Sequence, residues 1–230
     1  MMPGYPAKQD AHISESAYKG RNLREIDFTK ESKGLKLGRY SAIDLYGDGS
    51  FYLLDSPGHA VGHMCGLART TMDPPTFMFL GGDIAHHGGE FRPTQYLPLP
   101  KEIDPSPLVA PYTKPAPVCP GSIFEDLHPK KSRTETFMHP SNAEGSFHSN
   151  PEEAVESIRK LGEFDAYDNV FAVIAHDGSL YDVVEFYPKP ANDWKAKGWK
   201  KEGLWRFLGD FDTGNEKLKA QFVPGNRSKV

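Results

Sequence analysis

The chain has 230 residues, 38% of them hydrophobic and 25% charged, with a formal net charge of −4. That length allows one full domain with a sizeable core, while the mild acidity argues against a nucleic-acid surface, which needs a basic face. No apolar run approaches the roughly 18 residues of a spanning helix, and the polar first residues hold no signal-peptide core, so no membrane partner and a cytoplasmic location are expected.

From residue 1 to about 37 the sequence is polar and aperiodic, with Leu23 to Phe28 as its only strand-like piece. Two apolar runs, Tyr40 to Tyr46 and Ser50 to Leu54, then flank Gly47-Asp48-Gly49 and predict a hairpin. The second run ends in Asp55-Ser56-Pro57-Gly58-His59-Ala60-Val61-Gly62-His63. Pro57 fixes one backbone dihedral and Gly58 frees the next, so the chain can turn sharply and aim His59 off the sheet edge. Met64 to Thr71 predicts a further strand, Asp73-Pro74-Pro75 a turn, and Thr76 to Leu80 a buried strand running into Gly81-Gly82-Asp83. Cys65, in an apolar run, is expected to be a buried free thiol; with Cys119 it makes only two cysteines, too few for a disulfide framework or a thiolate metal site.

Between Pro93 and Pro129 stand ten of the chain's twenty prolines, which disfavours regular helix or central strand and predicts a long loop over the site. Asn150 then offers an N-cap, Pro151 the favoured first helical position, and Glu152 and Glu153 complement the dipole. Ala154, Val155, Ile158 and Leu161 give the apolar stripe, with Gly162 as the expected stop. Val170 to Ala175 predicts a strand delivering His176, and Tyr181 to Tyr187 one more strand. Trp194, Trp199 and Trp205 lie among lysines, but Gly198 and Gly203 break any helical face, so packing onto the domain is the expectation.

Three strand ends thus each deliver a ligand-type side chain: His59, Asp83 and His176. A lone histidine would more often only hydrogen-bond its loop. In α/β folds such groups gather where strand ends meet one edge, and ligands bind there.

The order PGHxxGH, then GGD after an apolar strand, then AHD after a later one resembles the second half of the metallo-β-lactamase superfamily. The phrases DGSFYLLDSPGHAVGHMCGLART and FMFLGGDIAHHGGEFRP are similar to fungal, lactonase-like members. The resemblance implies an α/β (α+β) chain forming part of an αββα sandwich, over residues 1–230. It implies a zinc pair bound by His59, Asp83 and His176, with Asp83 bridging, and hydrolysis of a small-molecule ester or lactone. In bacterial lactonase relatives a Tyr commonly lies three positions after the bridging Asp; here that position is His86, which could donate to the substrate carbonyl or leaving oxygen, while His86 and His87 could equally support the ligands or pack the loop.

The family's HxHxDH signature has no counterpart among the nine histidines, and the chain resembles a family member without its first half. Each metal would then keep two of the three protein ligands a catalytic zinc needs, unless another chain donates ligands or His128, His139 or His148 folds back, which their positions in or beside the Pro-rich segment disfavour. Two functions follow: a zinc-dependent lactonase-like hydrolase, or a non-catalytic remnant that keeps the fold and a binding surface. An open sheet edge also makes self-association, as a homo-oligomer, an expectation.

Overall fold

A computed structural model describes residues 6–7, 9–11, 13–114 and 117–211. In chain order its elements are helix α1 (Phe28–Glu31), strands β1 (Lys36–Leu37), β2 (Tyr40–Asp44), β3 (Phe51–Asp55), β4 (Met64–Met72) and β5 (Pro75–Leu80). They continue with β6 (Glu102–Ile103), β7 (Cys119–Pro120), α2 (Ser122–Leu127), α3 (Pro151–Asp165), β8 (Val170–Val173) and α4 (Trp199–Gly203). The fold is mixed, α+β: a six-stranded sheet in the order β1-β2-β3-β4-β5-β8, with helices packed on it. Neighbours from β1 to β5 are antiparallel, because short turns join them, whereas β8 returns parallel to β5 after the long excursion through α3.

The β2–β3 hairpin forms as its glycines and Asp48 suggest. Asp44 closes it, its carboxylate accepting the backbone N–H groups of Gly47 at 3.0 Å and Gly49 at 2.9 Å. Alternate residues of β2 to β5 point to one face, where Tyr40, Ala42, Leu54, Cys65, Leu67 and Phe79 meet Ile158, Leu161 and Phe164 of α3. The buried Tyr40 hydroxyl donates to the Ser157 carbonyl at 2.6 Å, so the polar tip is satisfied within the core. On the other face Phe171 and Met78 pack against Leu180, Val183, Trp194 and Trp199.

Helix α3 begins as the sequence dictates, with the Asn150 side chain accepting from the Glu153 N–H at 3.2 Å and Pro151 in the first turn. It does not stop at Gly162. It runs to Asp165, and a Cβ at residue 162 would stand 2.9 Å from the Thr94 methyl, so this glycine permits a close approach instead of ending the helix. At the helix end, Asp165 takes a bidentate pair from buried Arg92, at 2.6 and 2.8 Å, and the third guanidinium nitrogen donates to the Leu204 carbonyl. One ion pair thereby ties α3, the start of the Pro-rich region and the C-terminal segment together.

Three expectations need correction. Residues 181–187 are turns following a 3₁₀ segment at Gly178–Leu180, because Leu180 and Val183, three apart, both bury on one side of a helical turn. Leu23 to Asp27 is irregular and leads into α1. The stretch from Pro93 to Pro129 contains the β6–β7 pair and α2, and Leu99, Ile103, Leu108, Cys119 and Phe124 build a second core with Phe137, Trp205, Phe207 and Leu208. Its apolar residues are spent on that core. The segment that closes on the histidines described below is the next one, through His148.

The tryptophans do pack: Trp194 and Trp199 are buried, and the Trp194 indole donates to the Thr70 hydroxyl at 3.0 Å. Cys65 is 1% exposed, and burial pushes its thiol up to about 12, so it is an inert core residue. Among the described residues no helix is long and apolar enough to cross a membrane.

Candidate metal centre

The site starts from the parallel pairing of β5 and β8. Their register, Leu80 opposite Val173, continues past both strands: Gly81 N–H donates to the Val173 carbonyl and Ala175 N–H to the Gly82 carbonyl, each at 2.8 Å. The stitching sets Asp83 and His176 side by side, and His176 Nε2 donates to Asp83 Oδ1 at 2.9 Å. Asp83 itself sits in a 3₁₀ turn with φ −93° and ψ 21°, the bridge region where active-site residues recur.

His59 arrives from the loop after β3. Within that loop His63 acts as a clasp: its Nδ1 lies 3.0 Å from the Ser56 carbonyl and 2.9 Å from the Ser56 hydroxyl. This is the structural role expected of a histidine in a tight turn. His59 differs. Its Nε2 lies 4.0 Å from Asp83 Oδ2, and its Nδ1 is buried with no hydrogen-bond partner. A buried, unsatisfied ring nitrogen is costly unless something binds it.

The adjacent histidines separate cleanly. His87 Nδ1 accepts from the Gly89 N–H at 3.0 Å, and its ring packs on Phe207 and Phe211, so it caps a turn. His86 turns to the site, with ring centres 5.0 Å from both His59 and His176. Donor atoms of His59, Asp83 and His86 all lie within 4.8 Å of one another.

Of the three histidines that could fold back, one does. His128 is buried and spends Nε2 on the Glu135 and Thr136 carbonyls, at 2.9 and 3.2 Å. His139 lies beside Thr136 in a separate cleft. His148 is brought against the site, its ring 5.4 Å from His59 and 5.6 Å from His86, with Nδ1 buried and unpartnered. The means is backbone pairing between two loops: Ser149 N–H donates to the His59 carbonyl and Asn150 N–H to the Gly58 carbonyl, both at 2.9 Å. The Ser157 hydroxyl adds a bond to the Pro57 carbonyl at 2.7 Å, anchoring the same loop to α3. Ser157→Ala should therefore cost about 1 kcal/mol in chemical denaturation, the usual scale for losing a hydrogen bond to a partly buried carbonyl; an unchanged midpoint would show that the loop is held elsewhere.

Burial holds His63, His86 and His148 below the usual histidine range, and neighbouring imidazoles add to the effect. Neutral imidazoles are the form that ligates metal. The separate cleft, about 490 Å³ in volume, is lined by Arg39, Glu163, Lys130 and Glu135 among others. Within it Arg39 pairs with Glu163 and Lys130 with Glu135, and its lining does not bring three metal-ligating side chains together as the histidine cluster does.

Comparison with known proteins finds relatives over most of the chain. The chain is 52% identical over 221 residues to a gamma-lactamase of Fusarium pseudograminearum, covering 96% of this chain and 52% of that protein. It is 54% identical over 161 residues to a gamma-lactamase of Gibberella moniliformis, covering 70% and 65% of the two. A metallo-hydrolase of Annulohypoxylon moriforme is 44% identical over 209 residues, covering 91% and 52%. These relatives support the chain as a lactonase-like member of the metallo-β-lactamase superfamily. It spans about half to two thirds of the length of these relatives. No family model matches the chain, and no solved structure does.

Proposed function

We propose that the chain carries the metal-binding part of a zinc-dependent hydrolase that opens a small cyclic ester or amide, a lactone or a lactam. The observation that carries this reading is the convergence of His59, Asp83 and His86, from loops separated in sequence, on one point beside an unsatisfied ring nitrogen. Two imidazoles and a carboxylate suit zinc, which takes nitrogen and oxygen donors and commonly keeps three protein ligands in catalytic sites. The relatives named gamma-lactamase favour a five-membered ring as substrate.

When bound, such an ion polarises a carbonyl and lowers the pKa of water toward neutrality. The protein's own residues do the rest. His176, through its bond to Asp83, keeps the carboxylate turned into the site. Hydrolysis adds water across the C–O or C–N bond, with one proton ending on the leaving oxygen or nitrogen. Asp83 is the carboxylate placed to carry that proton, and His86 is the neighbour that can share it.

The test is direct. Purified chain loaded with zinc should open a γ-lactam or a γ-lactone, lose that activity with a chelator and regain it with zinc. Hydrolysis indifferent to chelation, or a chain that takes up no zinc, would rule the reading out.

A further inference from the structure

The separate cleft of about 490 Å³ lies between α3 and the segments at 90–96 and 130–140. That volume suits a small molecule, since ligand clefts commonly hold roughly 300–1,000 Å³. Its lining combines apolar surface with hydrogen-bonding groups: Val155 and Ile158 come from α3, Phe91 and Tyr96 from the segment after the histidine pair, and Thr94 and Thr136 add hydroxyls.

The charged groups around the cleft are unequally satisfied. Arg39 is held by Glu163 at 2.6 Å and by Glu156, and Lys130 by Glu135 at 2.5 Å. Arg92, two residues past Glu90, spends its guanidinium on Asp165 and the Leu204 carbonyl. Glu90 is left over. Half-buried in the cleft wall, it forms no ion pair with a described residue and accepts one hydrogen bond, from the His86 backbone N–H at 3.4 Å. A carboxylate offers about four acceptor positions on its two oxygens, so one long bond leaves most of that capacity unused. A carboxylate drawn partly out of water with no cation opposite it is costly until a donor arrives.

We propose that this cleft binds a small organic ammonium ion, its charge on Glu90 and its apolar body against Val155 and Tyr96. The site is distinct from the histidine cluster and needs no metal. Charge gives it selectivity: a neutral molecule of the same shape leaves the carboxylate uncompensated, and an anion is repelled by it. Because the same carboxylate accepts from the His86 N–H, occupancy of the cleft is felt at the backbone of a residue in the histidine cluster.

The test uses the whole 230-residue chain, stripped of metal and kept in chelator, so that no ion in the histidine cluster can take up the amine. Failure here is then separable from failure of the hydrolase reading. The probe is benzylammonium, with benzyl alcohol and benzoate as its neutral and anionic counterparts, followed by NMR of the His86 amide and of the ring of His139, which lines the cleft. Saturable shifts of both signals by benzylammonium are expected, with the alcohol and benzoate weaker by about 10-fold or more, the scale of a charge-assisted hydrogen bond. Glu90→Gln should lose a similar factor for benzylammonium. Val155→Trp fills the cleft from the α3 side, leaves Glu90 in place and should abolish both shifts, which keeps the test decisive should Glu90→Gln fail to fold. Equal binding of the alcohol, undiminished binding by either folded variant, or no saturable shift with benzylammonium would overturn the assignment.

Discussion

Asp83→Asn is expected to lower zinc-dependent hydrolysis by on the order of a thousandfold, the scale of removing a charged group that stabilises the reacting atoms. The substitution keeps the shape of the side chain and leaves an amide oxygen that can still accept from His176, so the loop geometry has no reason to change. What disappears is the negative charge among His59, His86 and His176. A cation then loses its one anionic partner in the group, and the proton released from water loses its carrier. Asp83 lies at the surface edge of the cluster, with 43% of its side chain accessible, so stability should move by no more than about 0.5 kcal/mol. Thermal unfolding of the metal-free variant checks the second statement and turnover of the zinc-loaded variant the first. Activity within threefold of the parent would remove Asp83 from the chemistry.

The strands were legible because each is a short apolar run closed by glycine, proline or a charged turn, and periodicity reports such runs well. β2 to β5 and β8 lie where those runs lie. Residues 181–187 misled because Val183 and Val184 look like strand residues, whereas their burial follows Leu180 at helical-turn spacing against Trp194 and Trp199. Gly162 misled for a related reason. A glycine can end a helix or allow a neighbour to come close, and only the position of Thr94 distinguishes the two. The prolines between 93 and 129 correctly signalled the lack of long elements, but a core shared with Phe207 and Leu208 depends on residues far along the chain.

The site was partly legible for the same reason as the strands. A histidine or aspartate at the end of a strand has its position fixed by the sheet, so His59, Asp83 and His176 could be named as neighbours from their places in sequence. His148 has no strand behind it. Its only local signal is that it stands two residues before the N-cap Asn150, and that start was readable. Where the start of α3 docks was not, since docking depends on the fit of one glycine against the helix backbone.

That fit yields the second large effect. Gly58→Ala is expected to destabilise the chain by roughly 3–6 kcal/mol, combining a strained backbone conformation with overpacking that cannot relax. Gly58 has φ +123°, which side-chain-bearing residues rarely adopt. A Cβ there would stand 2.1 Å from the Ala154 nitrogen, 2.4 Å from its Cα and 2.6 Å from the Glu153 carbonyl carbon. All three are backbone atoms of the first turn of α3, so no rotamer change can make room. Either the loop or the helix must move, and both carry the site: Gly58 and His59 accept from Asn150 and Ser149, and Ser157 reaches Pro57. Separation of the loop from the helix would part His59 from His148 as well. Denaturant unfolding should thus show a far larger loss than for Ser157→Ala, and zinc affinity should fall even at temperatures where Gly58→Ala remains folded. A variant that unfolds within about 1 kcal/mol of the parent and binds zinc as tightly would show that the loop and helix can separate without cost to the site, and that the close packing at Gly58 does not position the histidines.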